Sequence, residues 1–282
     1  MLVFTTLPAI NALVYSLFKW QAFKRGAFAG LENFQRLFAY PFDQQFLRAL
    51  SHNTLAFVVL LVVQTGLGLL LAYALWKHPP GLRFFRVTVF LPVILSLVIV
   101  GFLWQLFLNP LFGPLNKLLH GVGLHALALP WLGDPATALP ALLLVNVWRW
   151  VGFPALVFLA GINAISEEYL EAAKLDGASE GQVFRHVILP LLAPSFTIIV
   201  LLTFIGSFEW FDLPYVMEGV NGTPAGATDT LALMFYRLAF GTVDAGISDV
   251  GLGAAVNTVL FFLVLLGAVL GALYLRRREV EG

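Results

Sequence analysis

The chain has 282 residues, of which 60% are hydrophobic and 11% are charged, and its formal net charge at pH 7 is zero. Soluble domains carry about 25% charged residues, so this composition predicts a protein of the lipid bilayer. The neutral charge balance gives no electrostatic basis for binding nucleic acid. Cysteine is absent, which excludes disulfides, thiolate metal ligands and cysteine nucleophiles.

Six apolar segments have the length, or nearly the length, that a helix needs to cross about 30 Å of hydrocarbon, which is about 20 residues. In chain order they cover residues 2–18, 54–76, 87–108, 138–161, 194–216 and 251–275. Because backbone polar groups in lipid must be satisfied within the segment, we predict that all six are helices. The predicted fold is an all-α membrane protein, with one transmembrane domain over residues 1–282.

The first predicted span is short and follows Met1 with no basic flank. We expect either that the chain lacks residues that precede this span in the full protein or that the first helix is simply short. A signal peptide is not expected, because the basic n-region and the small-residue cleavage site are both missing.

Basic residues occur on both sides of the predicted spans, so their number hardly decides the orientation. They are densest in the loop of residues 77–86 and directly after the sixth span, at Arg276, Arg277 and Arg278. We therefore expect both termini in the cytoplasm. The long loops of residues 109–137 and 217–250 would then lie on the outer side.

A polar, charged stretch at residues 165–193 separates the fourth and fifth spans. Ser166 is the expected N-cap of a helix, and Asp176-Gly177 is the expected stop, because glycine readily takes the left-handed conformation that ends helices. We expect a second short helix at residues 179–187, ended by Leu189-Pro190. The prediction is a helix, a tight turn and a helix outside the hydrocarbon.

This polar stretch closely resembles the EAA loop of ABC importer permeases. The matching residues are Glu171-Ala172-Ala173, Asp176-Gly177-Ala178, Phe184, Ile188, Leu189-Pro190 and Pro194. In that family the loop is a cytoplasmic coupling helix that docks on an ATPase. The resemblance implies that the ATPase-coupling residues here are Glu171, Ala172, Ala173, Asp176, Gly177, Ala178, Phe184 and Pro190. A hairpin at the membrane surface with solvated charges is the alternative interpretation.

The rest of the chain is similar to the carbohydrate-type permeases of binding-protein-dependent importers, the group that contains maltose and glycerol-3-phosphate permeases. The similarity is carried by Gly30-Leu31-Glu32-Asn33-Phe34, Asn53-Thr54, Phe84-Phe85-Arg86, Leu91-Pro92, Trp131-Leu132-Gly133-Asp134-Pro135, Ser207-Phe208 and Phe211-Asp212-Leu213. It implies a multi-pass protein of a bacterial or archaeal cytoplasmic membrane. The implied partners are a second permease subunit, two ATPase subunits and a soluble substrate-binding protein. ATP and magnesium would be used by the ATPase subunits, with no cofactor on this chain.

Polar residues inside membrane spans are costly and are therefore candidates for function. The candidates for a substrate pathway are Asn146, Arg149, Trp150, Glu209, Trp210, Asp212 and Asn257. Aromatic rings with convergent polar groups suit a sugar or related polyol as cargo. As alternatives, Arg149 forms a buried structural pair with one of the acids, and Asn257 only bonds to a neighbouring helix.

Other functions stay open at this point. Arg149 would favour an anionic cargo such as a phosphate ester, whereas Glu209 and Asp212 would favour a cation such as a polyamine, and a peptide is a further alternative. A channel or a membrane enzyme is the alternative from another class. The sequence contains no Walker-type phosphate-binding motif, no metal-ligand spacing of histidines and no hydrolase motif, so we predict a transport subunit and not an enzyme.

Overall fold

The computed structural model describes residues 2–21, 23–241 and 248–280. Met1, Ala22, residues 242–247, Glu281 and Gly282 lie outside this description, as do the side chains of residues 2–6, 8, 9, 21 and 276–280. The chain begins with helix α1, Leu2–Ser16. Strands β1, Phe18–Gln21, and β2, Lys24–Phe28, follow and pair antiparallel. The all-α prediction is therefore wrong for this hairpin, although the fold is mostly helical.

The remaining elements are helices. They are α2 Glu32–Leu37, α3 Phe42–Val59, a π-helical turn Leu60–Gln64, α4 Thr65–Trp76, α5 Leu82–Ile94, α6 Leu97–Phe107, α7 Pro114–Gly121, a 3₁₀ turn His125–Leu127, α8 Pro135–Trp150, α9 Gly152–Asn163, α10 Glu167–Leu175, α11 Glu180–Val183, a π-helical turn Phe184–Ile188, α12 Leu189–Leu191, α13 Ala193–Phe208, α14 Asp212–Glu218, α15 Leu231–Phe240 and α16 Val250–Val280.

Among the described residues, three continuous helices are long and apolar enough to cross a bilayer. They are Phe42–Trp76, Pro135–Asn163 and Val250–Leu275. Two pairs of helices, each interrupted by a bend, bring this number to five if each pair is one span. By length and composition, the structure therefore has three to five spans, and α1, with 15 residues, is shorter than such a helix.

The third and fifth predicted spans are not single helices. Leu95 and Ser96 are extended and separate α5 from α6, and Pro92 in the last turn of α5 lacks the N–H that would support that turn. In the fifth span, α13 ends at Phe208 and α14 begins at Asp212. Pro214 has no N–H to donate to the carbonyl of the residue four positions earlier, which disfavours a continuous helix through this segment.

The chain folds into two compact units whose segments alternate along the sequence. The first unit consists of Met1–Phe57, Ser96–Val145 and Gly206–Leu265, and the second of Val58–Leu95, Asn146–Ile205 and Leu266–Gly282.

In the first unit, the amide of Asn53 ties three helices together. Asn53 is fully buried. Its Nδ2 donates to the carbonyl of Ser207 at 2.6 Å, and its Oδ1 accepts from the backbone N–H of Leu231 at 2.9 Å. A buried amide with both ends satisfied holds α3 against the end of α13 and the start of α15.

A buried ion pair anchors the loop before α15 in the same unit. The side chain of Asp229 is 1% exposed. It accepts from both terminal nitrogens of Arg237, at 3.1 and 2.8 Å. Arg48 lies 3.8 Å from the same carboxylate, and the ring of His52 bonds to the backbone carbonyl of Asp229 at 2.8 Å. Two-point pairing of this kind fixes geometry as well as charge.

In the second unit, α4 and α9 approach closely because a small residue lies where they meet. A Cβ at Gly68 would lie 2.8 Å from the ring of Pro154, closer than side chains pack. Phe158, Ile188 and Leu192 are fully buried in the core of this unit. Leu170 of α10 joins the same cluster, so the polar stretch is packed onto the unit by an apolar residue.

Candidate functional site

The polar stretch begins with a capped helix, as predicted. The backbone N–H of Glu168 donates to the side-chain oxygen of Ser166 at 3.4 Å, and α10 follows from Glu167. Glu167 and Glu168 occupy the first turn, where the helix dipole stabilises negative charge.

The tight turn after α10 depends on the backbone of Gly177. Its φ is +80°, in the left-handed region that favours glycine. The N–H of Ala178 donates to the carbonyl of Ala173 and the N–H of Gly177 to that of Lys174, both at 3.0 Å, which is the Schellman pattern of a helix end. A Cβ at Gly177 would meet no atom within 4 Å. The position therefore favours glycine because of its left-handed backbone conformation, and not because a side chain would collide with a neighbour.

The second helix starts as predicted but ends later. The side chain of Gln182 accepts from the backbone N–H of Ser179 at 2.7 Å, and α11 begins at Glu180. The helical path then continues through the π-helical turn Phe184–Ile188 and the short α12. The prediction that Leu189-Pro190 ends the helix is therefore wrong. The chain bends by 64° only between Leu191 and Ala193, and such bends commonly occur beside prolines and π-helical turns.

The predicted coupling residues differ in exposure. Those accessible to a partner are Glu171, Ala172, Asp176, Gly177 and Pro190, whereas Ala173, Ala178 and Phe184 are half-buried. Phe184 is not a free anchor, because its ring lies 4.6 Å from that of Tyr73 at the end of α4.

An ion pair reinforces this aromatic contact. Lys77 Nζ lies 2.7 Å from Glu180 Oε1 and 5.5 Å from the ring centres of Tyr73 and Trp76. The hydrogen bond with Glu180 raises the pKa of Lys77, and the same bond lowers the pKa of Glu180, so both shifts favour the charged pair. From the sequence, Lys77 was only a basic loop residue, and its pairing with Glu180 was not predicted.

Two exposed apolar side chains lie on α10 beside the predicted coupling residues. Tyr169 is 61% exposed and Leu175 is 89% exposed. Neither was predicted from the sequence, although their position outside the membrane spans was the signal available to find them. Both side chains expose apolar area that a docked partner would cover.

The candidate pathway residues of the second unit lie on α8. Asn146 is 7% exposed and its Nδ2 donates to Gln64 Oε1 at 3.3 Å. The guanidinium of Arg149 lies 5.1 Å from the ring centre of Trp150. Gln64, the last residue of the π-helical turn before α4, is a buried polar partner that was not predicted from the sequence.

The remaining candidates belong to the first unit. Glu209 and Asp212 are exposed at the interruption between α13 and α14, whereas Trp210 between them is 7% exposed. The indole N–H of Trp210 is buried and has no hydrogen-bond partner in the described part of the chain. Asn257 is half-buried on α16. An unsatisfied buried donor is unusual in proteins and is therefore of interest as a ligand contact.

Metal ligands are not grouped in the described segments. Residues 2–21, 23–241 and 248–280 contain no cluster of three or more histidine, aspartate or glutamate side chains that could hold a metal ion.

The sequence of the chain is similar to a family of known proteins. Residues 64–279 match the family described as "Binding-protein-dependent transport system inner membrane component". The chain is 36% identical over 270 residues to a probable ABC transporter permease protein, YurN, of Bacillus subtilis, with 94% of this chain and 88% of the relative covered. It is 33% identical over 269 residues to the trehalose/maltose transport system permease protein MalF of Thermococcus litoralis, with 94% and 85% covered.

A solved structure has the same fold. A chain of a bacterial ABC transporter involved in the import of the acidic polysaccharide alginate superimposes with a TM-score of 0.82 at 24% identity. The match covers 98% of this chain and 91% of that one.

Proposed function

The chain belongs to the family of binding-protein-dependent transport system inner membrane components, and from this premise we propose that it carries a sugar or related polyol across the cytoplasmic membrane. It acts as one permease subunit of an ATP-driven importer and works by alternating access. The carbohydrate cargo is supported by the relative named as a trehalose/maltose permease, which 94% of this chain matches. The single observation that carries the transport role is the family match over residues 64–279.

The proposed topology has six spans within one permease domain. Three continuous helices and the interrupted pair α5 and α6 supply four spans, α13 supplies the fifth, and α1 supplies the sixth as a short helix. Both termini and the EAA-like loop at residues 165–193 lie on the cytoplasmic side in this arrangement. Interrupted helices suit a transporter, because irregular backbone at membrane depth is tolerated where it lines a cavity.

The proposed coupling surface is the exposed turn between α10 and α11, with Glu171, Asp176 and Gly177. Tyr169 and Leu175 add apolar contact area beside the turn. Phe184 lies beneath this surface, and its contact with Tyr73 transmits a displacement of the surface to α4. Pro190 lies where α11 and its continuation approach the bend into α13.

The proposed partners follow from this surface and the family. Two ATPase subunits bind and hydrolyse ATP with magnesium, and one of them docks on the turn. A second permease subunit completes the membrane pathway, and a soluble binding protein delivers the cargo. Asn146, Arg149, Trp150, Glu209, Trp210, Asp212 and Asn257 are the proposed pathway residues, supported by the aromatic rings among them and by the unsatisfied N–H of Trp210.

Substitution of Gly177 tests the coupling role. In Gly177→Val the left-handed φ of +80° is strained by a β-branched side chain, at a cost of about 1–2 kcal/mol. We expect normal membrane insertion but loss of uptake and of ATPase stimulation. The matched control is Gly181→Val, since a Cβ at Gly181 also meets no atom within 4 Å and its backbone is helical.

The assay uses the transporter purified from its native membrane and reconstituted with its co-purifying subunits and binding protein. Uptake of labelled trehalose and maltose is compared with uptake of glycerol phosphate and spermidine. Saccharide uptake that Gly177→Val abolishes and Gly181→Val retains supports the proposal. Equal uptake by both variants contradicts the coupling role, and uptake of only the phosphate ester or polyamine contradicts the carbohydrate cargo.

A further inference from the structure

The turn after α14 contains a hydroxyl group placed between two oxygen atoms of one residue. Thr223 Oγ1 lies 2.7 Å from the backbone carbonyl oxygen of Glu218 and 2.8 Å from its carboxyl oxygen Oε2. A threonine hydroxyl carries one hydrogen, and a backbone carbonyl can only accept. When the hydroxyl donates to the carbonyl, the second contact needs a hydrogen of its own.

A protonated carboxyl group supplies that second hydrogen. An ionised Glu218 can only accept, so one hydrogen would face two acceptors and one short oxygen–oxygen contact would be left without a proton. If Glu218 is protonated, its carboxyl donates to Thr223 and Thr223 donates to the carbonyl. Each short contact then has its own hydrogen.

The other carboxyl oxygen leads to the same conclusion. Glu218 Oε1 is buried and has no hydrogen-bond partner among the described residues. A buried oxygen without a partner is far more costly on a carboxylate than on a neutral acid. In agreement with the geometry, burial raises the pKa of Glu218 from 4.5 to about 7.

The charged groups around this turn are engaged elsewhere. Arg237 on α15 donates to the carbonyl of Val220 at 2.9 Å, but its charge is paired with Asp229. Arg48 and His52 on α3 also face Asp229. Neighbouring α6 offers the neutral amide of Gln105, which donates to the carbonyl of Met217. The titratable groups on α14 itself are Asp212 and Tyr215, and Tyr236 of α15 lies 5.5 Å from the Tyr215 ring. No described ion pair holds Glu218 in its ionised form.

We propose that Glu218 is a proton-binding site at the end of α14, and that the bound proton closes the turn of residues 218–223 through Thr223. Loss of the proton places a charge on a partly buried group and removes the hydrogen that this turn requires. The turn is then held less tightly, while the Asp229–Arg237 pair still anchors the rest of the loop. The site goes beyond the transport role and does not depend on which cargo is carried.

Infrared spectroscopy of the complete transporter in lipid tests the site without any transport assay. Protonated carboxylic acids have a carbonyl stretching band that carboxylates lack, and subtraction of the Glu218→Gln spectrum isolates the band of this residue. We expect a band at pH 5.5 that disappears with a midpoint of about 7. Thr223→Val should retain the band but shift it to higher frequency, because the carboxyl loses its hydrogen-bond acceptor.

Hydrogen exchange of the turn gives the second measurement. At pH 8 the amides of residues 219–223 should exchange several-fold faster in the wild type than in Glu218→Gln, whose neutral amide can still donate to Thr223. At pH 5.5 the two should agree. Three results would each overturn the proposal. They are a wild-type spectrum with no band that is lost in Glu218→Gln, a band whose midpoint lies near the ordinary glutamate pKa of 4.5, and equal exchange of the two proteins at pH 8.

Discussion

Removing the guanidinium of Arg237 should leave a buried carboxylate without its main partner. The carboxyl of Asp229 is 1% exposed and is held at 2.8 and 3.1 Å by the two terminal nitrogens of Arg237. Breaking a buried pair by removing one partner costs about 3–5 kcal/mol. Arg237→Met keeps much of the apolar volume of the side chain, so the charge is the main change.

Arg48, with a nitrogen 3.8 Å from the same carboxylate, remains as a weaker partner in the variant. We therefore expect a loss of about 3–4 kcal/mol, at the lower end of the range for a broken buried pair.

Reversible unfolding in mixed detergent micelles at pH 7 measures this loss, with each variant compared with wild type. Lys19→Met is the control, because the Lys19–Glu32 pair at 2.7 Å is 54% and 44% exposed and such pairs contribute under about 1 kcal/mol. A second substitution, Asp229→Asn, should recover part of the loss in the Arg237→Met background. The reasoning is refuted if Arg237→Met costs no more than the control, or if Asp229→Asn recovers none of the loss.

Three further expectations concern separate parts of the chain. Phe184→Ala removes the ring contact with Tyr73 at 4.6 Å, so the amount of cargo transported per ATP hydrolysed should fall several-fold. Phe184→Leu keeps more apolar volume and should lose less. An unchanged amount of cargo per ATP in Phe184→Ala contradicts the role of this contact in coupling. Trp210→Phe removes a buried N–H without a partner among the described residues and also part of the buried ring volume, and these two changes act on the free energy of unfolding in opposite directions. Saccharide transport should weaken in this variant, and unchanged transport contradicts the role of Trp210 in the pathway. As the pH rises, the folded chain retains the Glu218 proton after the unfolded chain has released it. The free energy of unfolding should therefore fall as pH rises from 4.5 to about 7. Glu218→Gln should remove this pH dependence in unfolding curves measured over a series of pH values.

Features that depend on neighbouring residues could be predicted from the sequence. The start of α10 at Ser166 and its end at Gly177 follow from hydrogen bonds and dihedral angles within a few positions, and both predictions are confirmed. Three of the six apolar segments, residues 54–76, 138–161 and 251–275, fall within continuous membrane-length helices, because hydropathy is a property of the segment itself. Pro214 was a signal in the sequence for the interruption before it, and the prediction of one span over residues 194–216 did not use that signal.

Contacts between distant residues could not be predicted in this way. Phe184 was expected to face a partner, yet its ring packs on Tyr73, and nothing local to either residue indicates that contact. Asn146 pairs with Gln64, 82 positions away. Such pairs depend on how helices pack, which a single sequence does not reveal.

The sequence by itself therefore determined the membrane class, the positions of three continuous apolar helices and the form of the turn at Gly177, because each rests on short-range hydrogen bonding or on the hydropathy of one segment. Only the tertiary structure decided that Phe184 packs inward, that Asn53 joins α3 to Leu231, and that Glu218 is buried with an unpaired oxygen. These features arise where helices far apart in the sequence pack together and bury the side chains between them. Burial of this kind determines which hydrogen-bond partner a side chain has and whether it is charged.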